Sequence, residues 1–188
     1  VVCVGLPPSR PVFTMGLNGN HSRNRKRKSM SLTKEEARGV GQIPSGLFIV
    51  CARDGEVIDG YLASFIQQIS FDPLLLAMAI RPGRPAYDLI KGGARFSINI
   101  VGENDSSFLK HFWTGYDPEQ NPFGEIPHRI EDSGTVTIDG AHTVIEAELV
   151  ERIEPGDHEV FIVKVLGSRV LDEVGKPMMH LRKSGLSY

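Results

Sequence analysis

Ser64, Arg81 and Arg84 are the residues of this chain whose types and spacing point most directly to chemistry. They fall between Gly60 and Arg84, where Ala63, Ser64, Gln68 and Ser70 stand at positions at which a half-buried strand would prefer bulk. Small side chains let a flat ligand lie against backbone, and a hydroxyl with two guanidinium groups around a Pro82-Gly83 corner suits a phosphate. On the residues alone the simpler reading is favoured: a strand-end hydroxyl and two solvated arginines. His158, in a Gly156-Asp157-His158 turn, reads equally as a loop-structuring or a site residue.

Other chemistries find little support. No G-x-G-x-x-G opens a helix after a strand, and neither a Walker sequence nor a G-x-S-x-G elbow occurs. His111, His128, His142, His158 and His180 are scattered without the i, i+4 pairing of zinc hydrolases. Cys3 and Cys51 match no metal or C-x-x-C spacing. Chemistry on this chain therefore calls for a bound cofactor.

The elements that must position these residues read mostly as strands. Leu47–Ala52 is an apolar run with the length of a buried strand, and Asp54-Gly55 signals a hairpin into Val57–Ser64. Phe65–Ser70 and Leu74–Ile80 follow around Asp72-Pro73. Four strands so closely joined predict an antiparallel barrel or sandwich. Pro85 fits the first position of a short helix, Ala86–Lys91, and Arg95–Val101 alternates as a strand with one wet face carrying Ser97 and Asn99. Asn104 or Asp105 fits the cap of a helix through Phe112. The longest strand patterns are Val144–Ile153 and Glu159–Leu171. Near the start, Ser31–Gly41 reads as a helix with a Thr33/Glu36 capping box.

Charge divides the 188-residue chain. Residues 1–34 hold seven Lys/Arg and no Asp/Glu, leaving a net −9 on residues 35–188. The basic segment reads as a disordered tail, an address signal or a transit segment, and residues 35–188 as the single folded domain. An acidic body argues against nucleic acid as partner, and no apolar run reaches the roughly 18 residues of a membrane helix.

Taken together, Gly60-Tyr61-Leu62-Ala63-Ser64-Phe65-Ile66-Gln67-Gln68-Ile69-Ser70-Phe71-Asp72-Pro73, the Ala79–Arg84 segment, the Arg95–Ile100 strand and the Gly156-Asp157-His158 turn resemble, in that order, the motifs of the flavin reductase-like, FMN-binding split-barrel family. The His180-Leu181-Arg182-Lys183-Ser184-Gly185-Leu186-Ser187-Tyr188 close is similar to that of the reductase domain of cyanobacterial flavodiiron proteins. The resemblance implies a mainly β, six-stranded antiparallel split β-barrel with short flanking helices, forming a homodimer with FMN near the subunit interface. It places Tyr61, Leu62, Ala63, Ser64 and Phe65 along the isoalloxazine and ribityl chain, partly through backbone groups, with Gln68 and Ser70 continuing that wall. Arg81 and Arg84 would hold the phosphate, His158 would sit beside the nicotinamide or flavin edge as the catalytic candidate, and His180 and Tyr188 would close the site. Leu62 departs from the Thr of many members, and Leu74 from the second Pro of a D-P-P element.

The implied function is an NAD(P)H-dependent flavin reductase passing hydride from NADH or NADPH to FMN. The alternative is an FMN-binding electron-transfer or sensing module with no nicotinamide oxidation of its own. A monooxygenase or another acceptor would take the reduced flavin. The implied compartment is the cytoplasm, or a plastid if residues 1–34 are a transit segment.

Overall fold

The computed structural model describes residues 32–104, 106–113 and 122–186. Helix α1 (Lys34–Gly41) opens the fold. The Thr33 hydroxyl accepts from the Glu36 N–H while the Glu36 carboxylate accepts from the Thr33 N–H (2.8 Å), satisfying donors that a helix start leaves orphaned. Thr33 and Lys34 thus belong to this helix start.

Eleven strands follow in chain order: β1 (Ser45–Gly46), β2 (Phe48–Asp54), β3 (Val57–Ala63), β4 (Ile66–Phe71), β5 (Leu74–Ile80), β6 (Phe96–Ile100), β7 (His128–Ile130), β8 (Val136–Ile138), β9 (Thr143–Ile153), β10 (Glu159–Val170) and β11 (Met179–His180). Helix α2 (Tyr87–Lys91) lies between β5 and β6, and a 3-10 turn, Ser107–Leu109, runs into α3 (Lys110–Trp113).

Seven strands form one antiparallel sheet in the order β3-β2-β6-β9-β10-β5-β4. Its two outer members, β3 and β4, are separated in sequence only by Ser64 and Phe65. They are two halves of one bent strand: the first half pairs with β2, and the second pairs with β5 from the Phe65 carbonyl onward, which accepts from the Ala79 N–H (2.9 Å). The ring thus closes through the covalent chain at the bend. The expected count of six strands becomes seven because the ladder breaks there; counted as one strand, the two halves restore six.

The β2/β3 hairpin turns on Gly55-Glu56, with Gly55 at φ +56°, the first-position glycine that such a two-residue loop favours. Strand β2 is buried on both faces. Val50 and Ala52 join the barrel interior with Met78, Phe96, Ile98, Phe161 and Val163, while Ile49 and Cys51 face a second cluster with Val101, Phe108, Val136 and Ile138. A strand sandwiched in this way reads as a continuous apolar run. Helix α2 packs into the barrel interior through Ala86, Tyr87 and Ile90.

Three expectations are corrected. Ser97 and Asn99 face no water: both are fully buried under the β7–β8 ribbon. The Asn99 amide donates to the carbonyls of Ile49 (3.3 Å) and Val136 (3.2 Å) and accepts from the Ile138 N–H (2.9 Å), so polar residues join two layers here. Pro85 is not the first residue of α2, because Ala86 caps that helix in a left-handed conformation (φ +64°) and so separates them. Ser106, not Asn104, stands at the start of the following 3-10 turn; Asp105 lies outside the described residues. Among the described residues, no helix is long and apolar enough to cross a membrane.

Candidate functional site

The bend between β3 and β4 sets the site. Ser64 is 5% exposed, and its hydroxyl is buried without a hydrogen-bond partner among the described residues. An unsatisfied buried hydroxyl costs about 1–3 kcal/mol; the Ser45 and Thr137 hydroxyls share this state elsewhere in the fold, and Ser64 is the one at the bend. Phe65 follows, its ring covered by the Arg182 guanidinium (4.5 Å to the ring centroid) and met edge-on by His158 (centroids 6.0 Å, 71°). Guanidinium groups favour aromatic faces for the negative potential there.

Two turns reach the same end of the barrel because β5 and β10 are paired there, with Ile80 opposite Glu159. Beyond that pair, β5 runs into Arg81-Pro82-Gly83-Arg84. The Arg84 N–H donates to the Arg81 carbonyl (3.2 Å), and Gly83 at φ +80° holds the third turn position, where glycine avoids a Cβ penalty. Arg81 is exposed and Arg84 half-buried. On the other strand, His158 Nδ1 lies 3.1 Å from the Asp157 carboxylate. The hydrogen bond to His158 first, then the His158 charge and, more weakly, Arg81 hold the Asp157 carboxyl below its ordinary value. Ala86, two residues after Arg84, keeps a positive φ while nearly fully buried, a strained backbone of the kind that gathers at functional sites.

Phe65, His158 and Arg182 are therefore brought together, with Ser64 next to Phe65 in the chain, while Arg81 and Arg84 lie in the turn that leaves the same end of the β5/β10 pair. Ala63 is buried in the barrel interior and Leu62 packs on the second cluster. The Tyr61 ring is also interior, its hydroxyl donating to Met78 Sδ (3.4 Å), so only Tyr61 backbone faces away from the core. Gln68 and Ser70 occupy the far half of β4, five residues from Phe65 in the case of Ser70, or roughly 15 Å along a strand. There the Gln68 side-chain amide donates to the Ser70 carbonyl (3.3 Å). His180 sits in β11 opposite Ser45, two residues before Arg182. Tyr188 lies outside the described residues.

Sequence reasoning did not place Arg182 against Phe65. A C-terminal Arg looks solvated until the strap carrying it is seen packed on α1, where the Arg182 N–H donates to the Gly41 carbonyl (3.1 Å). The cluster holds cations, one fixed carboxylate, an aromatic ring and an orphaned hydroxyl, and this suits an aromatic ligand bearing a phosphate. Among the described residues, no three His, Cys, Asp or Glu side chains are grouped to hold a metal ion. Burial pushes the Cys51 thiol far up, so it is no nucleophile.

Residues 40–185 match the family model described as flavin reductase like domain. Diflavin flavoprotein A 1 of Synechocystis sp. is 31% identical over 159 residues, covering 84% of this chain and 28% of that protein. The chain spans less than a third of the length of the curated relatives it matches. Among solved structures, the NADH:FAD oxidoreductase SgcE6 of Streptomyces globisporus superposes with a TM-score of 0.68 at 21% identity, covering 79% of this chain and 87% of that one. The styrene monooxygenase flavin reductase (SMOB) of Pseudomonas putida gives 0.66 at 21% identity, over 77% and 90%. These likenesses establish a shared split-barrel fold.

Proposed function

The chain belongs to the flavin reductase-like domain family, and from that premise we propose that it is an NAD(P)H-dependent flavin reductase acting on FMN. The observation that carries the reading is the Ser64 hydroxyl, buried and unpartnered at a bend whose neighbours are an aromatic ring and an arginine turn. A phosphorylated flavin fits that set: Ser64 and the Arg81–Arg84 turn would hold the phosphate, and the Ala63–Phe65 backbone would lie along the ring system. The flavin, when bound, supplies the hydride-accepting centre, so the protein needs no acid–base pair of its own. Asp157 keeps His158 oriented at the edge of the Phe65 ring, where the imidazole can balance charge. Arg182, stacked on Phe65, screens that ring from water.

The homodimer belongs to the same proposal. Ile69, Phe71 and Leu74 are exposed on the β4–β5 hairpin, and Phe71 is 89% exposed. Apolar side chains gathered in this way fit a self-complementary contact. Gln68 and Ser70 lie on the same hairpin and would serve at that interface. A monooxygenase or another oxidant would receive the reduced flavin.

One observation favours a second reading. Because the relatives are more than three times longer than their matched segment, the domain can also serve as an FMN-binding electron-transfer module beside others. An anaerobic visible spectrum with FMN or FAD, before and after NADH or NADPH, separates the two. Prompt bleaching of bound FMN is the expected result. Bound flavin that stays oxidised with both donors supports the module, and failure to bind either flavin overturns both readings.

A further inference from the structure

Strand β10 turns Glu159, Phe161 and Val163 toward the barrel interior, and all three are buried. A carboxylate is the costly member of that row, since burying a charge is unfavourable unless it is paired and hydrogen-bonded. Glu159 is paired twice. Its Oε1 accepts from the Tyr87 hydroxyl at 2.5 Å, and its Oε2 accepts from Arg152 Nη1 at 3.2 Å. The Tyr87 ring also packs on Phe161 (centroids 5.6 Å).

These partners come from three elements that meet at the site. Tyr87 opens α2, and its N–H donates to the Arg84 carbonyl (3.2 Å), so Tyr87 is bonded directly to the arginine turn. Arg152 lies near the end of β9 and also pairs with Glu154 (3.4 Å), in the connection that leads to Asp157 and His158. Glu159 itself follows His158, opens β10 and pairs with Ile80, the last residue of β5. Past that pair the ladder ends, and both turns leave the sheet. The Tyr87–Glu159–Arg152 joint links the arginine turn to the connection before His158 where the ladder has stopped.

We propose that Glu159 is a positioning residue for the flavin site: through Tyr87 and Arg152 it fixes the Arg81–Arg84 turn against the Asp157-His158 turn. The inference rests on the flavin-reductase reading and adds to it a residue that touches neither flavin nor donor. A hydrophobic residue at position 159 would avoid that desolvation cost, and a buried carboxylate held on two partners fits a role in fixing geometry.

The test compares Tyr87→Phe, Glu159→Gln and Glu159→Ala in the full chain, by flavin Kd, steady-state kinetics and thermal unfolding. Tyr87→Phe removes one hydrogen bond to a carboxylate and keeps the ring, so it is expected to fold and to raise the flavin Kd about tenfold. Glu159→Gln can turn its amide oxygen to Arg152 and its NH2 to the Tyr87 oxygen, keeping both contacts with the second reversed, and is expected to stay within about threefold of wild type. In both, the KM for the nicotinamide donor should rise more than kcat falls, the pattern of a displaced binding group. If Glu159→Ala fails to fold, Tyr87→Phe still decides. Lowered thermal stability with wild-type flavin Kd in Tyr87→Phe overturns the positioning role, and so does a Glu159→Gln variant as impaired as Tyr87→Phe. A wild-type chain that binds no flavin overturns the functional reading and this inference with it. Flavin binding by the wild type with equal binding by Tyr87→Phe overturns this inference alone.

Discussion

Replacing Ser64 by alanine should strengthen the free protein while weakening its hold on flavin. The Ser64 hydroxyl is buried at 5% residue exposure with no partner, so the folded chain carries its desolvation cost uncompensated. Removing it relieves up to about 1–3 kcal/mol. Alanine leaves no cavity of consequence, because only one oxygen is lost and the Cβ stays. At roughly 2–4 °C per kcal/mol for a chain of this size, the melting temperature of the flavin-free protein should rise by several degrees. On the proposed reading a flavin phosphate would give the same hydroxyl a charged acceptor, and a hydrogen bond of that kind contributes about 1.5–3 kcal/mol. Its loss should raise the FMN Kd by roughly ten- to a hundredfold. The assay is a thermal melt of wild type and variant with and without saturating FMN, together with a flavin fluorescence titration. The two effects have opposite sign, which a general packing defect cannot reproduce. A variant that melts lower without flavin and binds FMN as wild type does would refute the reasoning, since the hydroxyl would then be satisfied within the chain.

Three further outcomes follow from other contacts. Asn99→Leu should lower stability by about 2–4 kcal/mol, because it strips partners from the Ile138 N–H and the Ile49 and Val136 carbonyls inside a closed layer; chemical denaturation checks it, and a loss below about 1 kcal/mol would show that ribbon and barrel do not depend on the amide. Gly41→Ala would put a Cβ 2.7 Å from the Arg182 carbonyl, a backbone atom unable to swing aside, so the C-terminal strap must shift at a cost of about 1–3 kcal/mol; thermal melts and flavin Kd should worsen together. The third concerns Asp157, whose depressed pKa comes first from its hydrogen bond to His158. A carboxylate lowered on folding contributes stability that is present above its unfolded value and lost as pH falls through the folded one. The stability advantage of wild type over Asp157→Asn should therefore shrink between about pH 5 and about pH 3, and an advantage that widens over that interval in denaturation titrations would refute the assignment.

Much of the barrel was legible because its signals are local. The β2 run is apolar on both faces, the β2/β3 turn carries Gly55 where the hairpin needs it, and Thr33 with Glu36 forms the cap that their spacing announces. What escaped depends on neighbours remote in sequence. The alternation of Phe96 and Ile98 with Ser97 and Asn99 is identical whether the polar face meets water or a covering ribbon, and β7 and β8 are three-residue strands too short to declare themselves. Among the site residues, the small side chains at Ala63 and Ser64 drew attention to the segment without announcing its bend, and the distance to Gln68 and Ser70 follows from a register that no motif encodes. Glu159 was hidden for a different reason. A Glu heading an apolar strand reads as solvated until Tyr87, seventy-two residues earlier, is seen to donate to it. Its one readable trace is its parity with Phe161 and Val163, which puts a charge on the inward face.

The bend at Ser64 and Phe65 ties closure of the barrel to its chemistry. A strand bent between two sheet partners must interrupt its ladder, so polar groups at the bend lose the neighbours that regular pairing provides. Those groups need water or a ligand instead, and here water is largely shut out, because the Ser64 hydroxyl is buried. The same break opens the barrel rim, and the turns after β5 and before β10 reach that rim with Arg81, Arg84 and His158. On the proposed reading, the bend that interrupts the ladder is also where the buried Ser64 hydroxyl would meet the flavin phosphate.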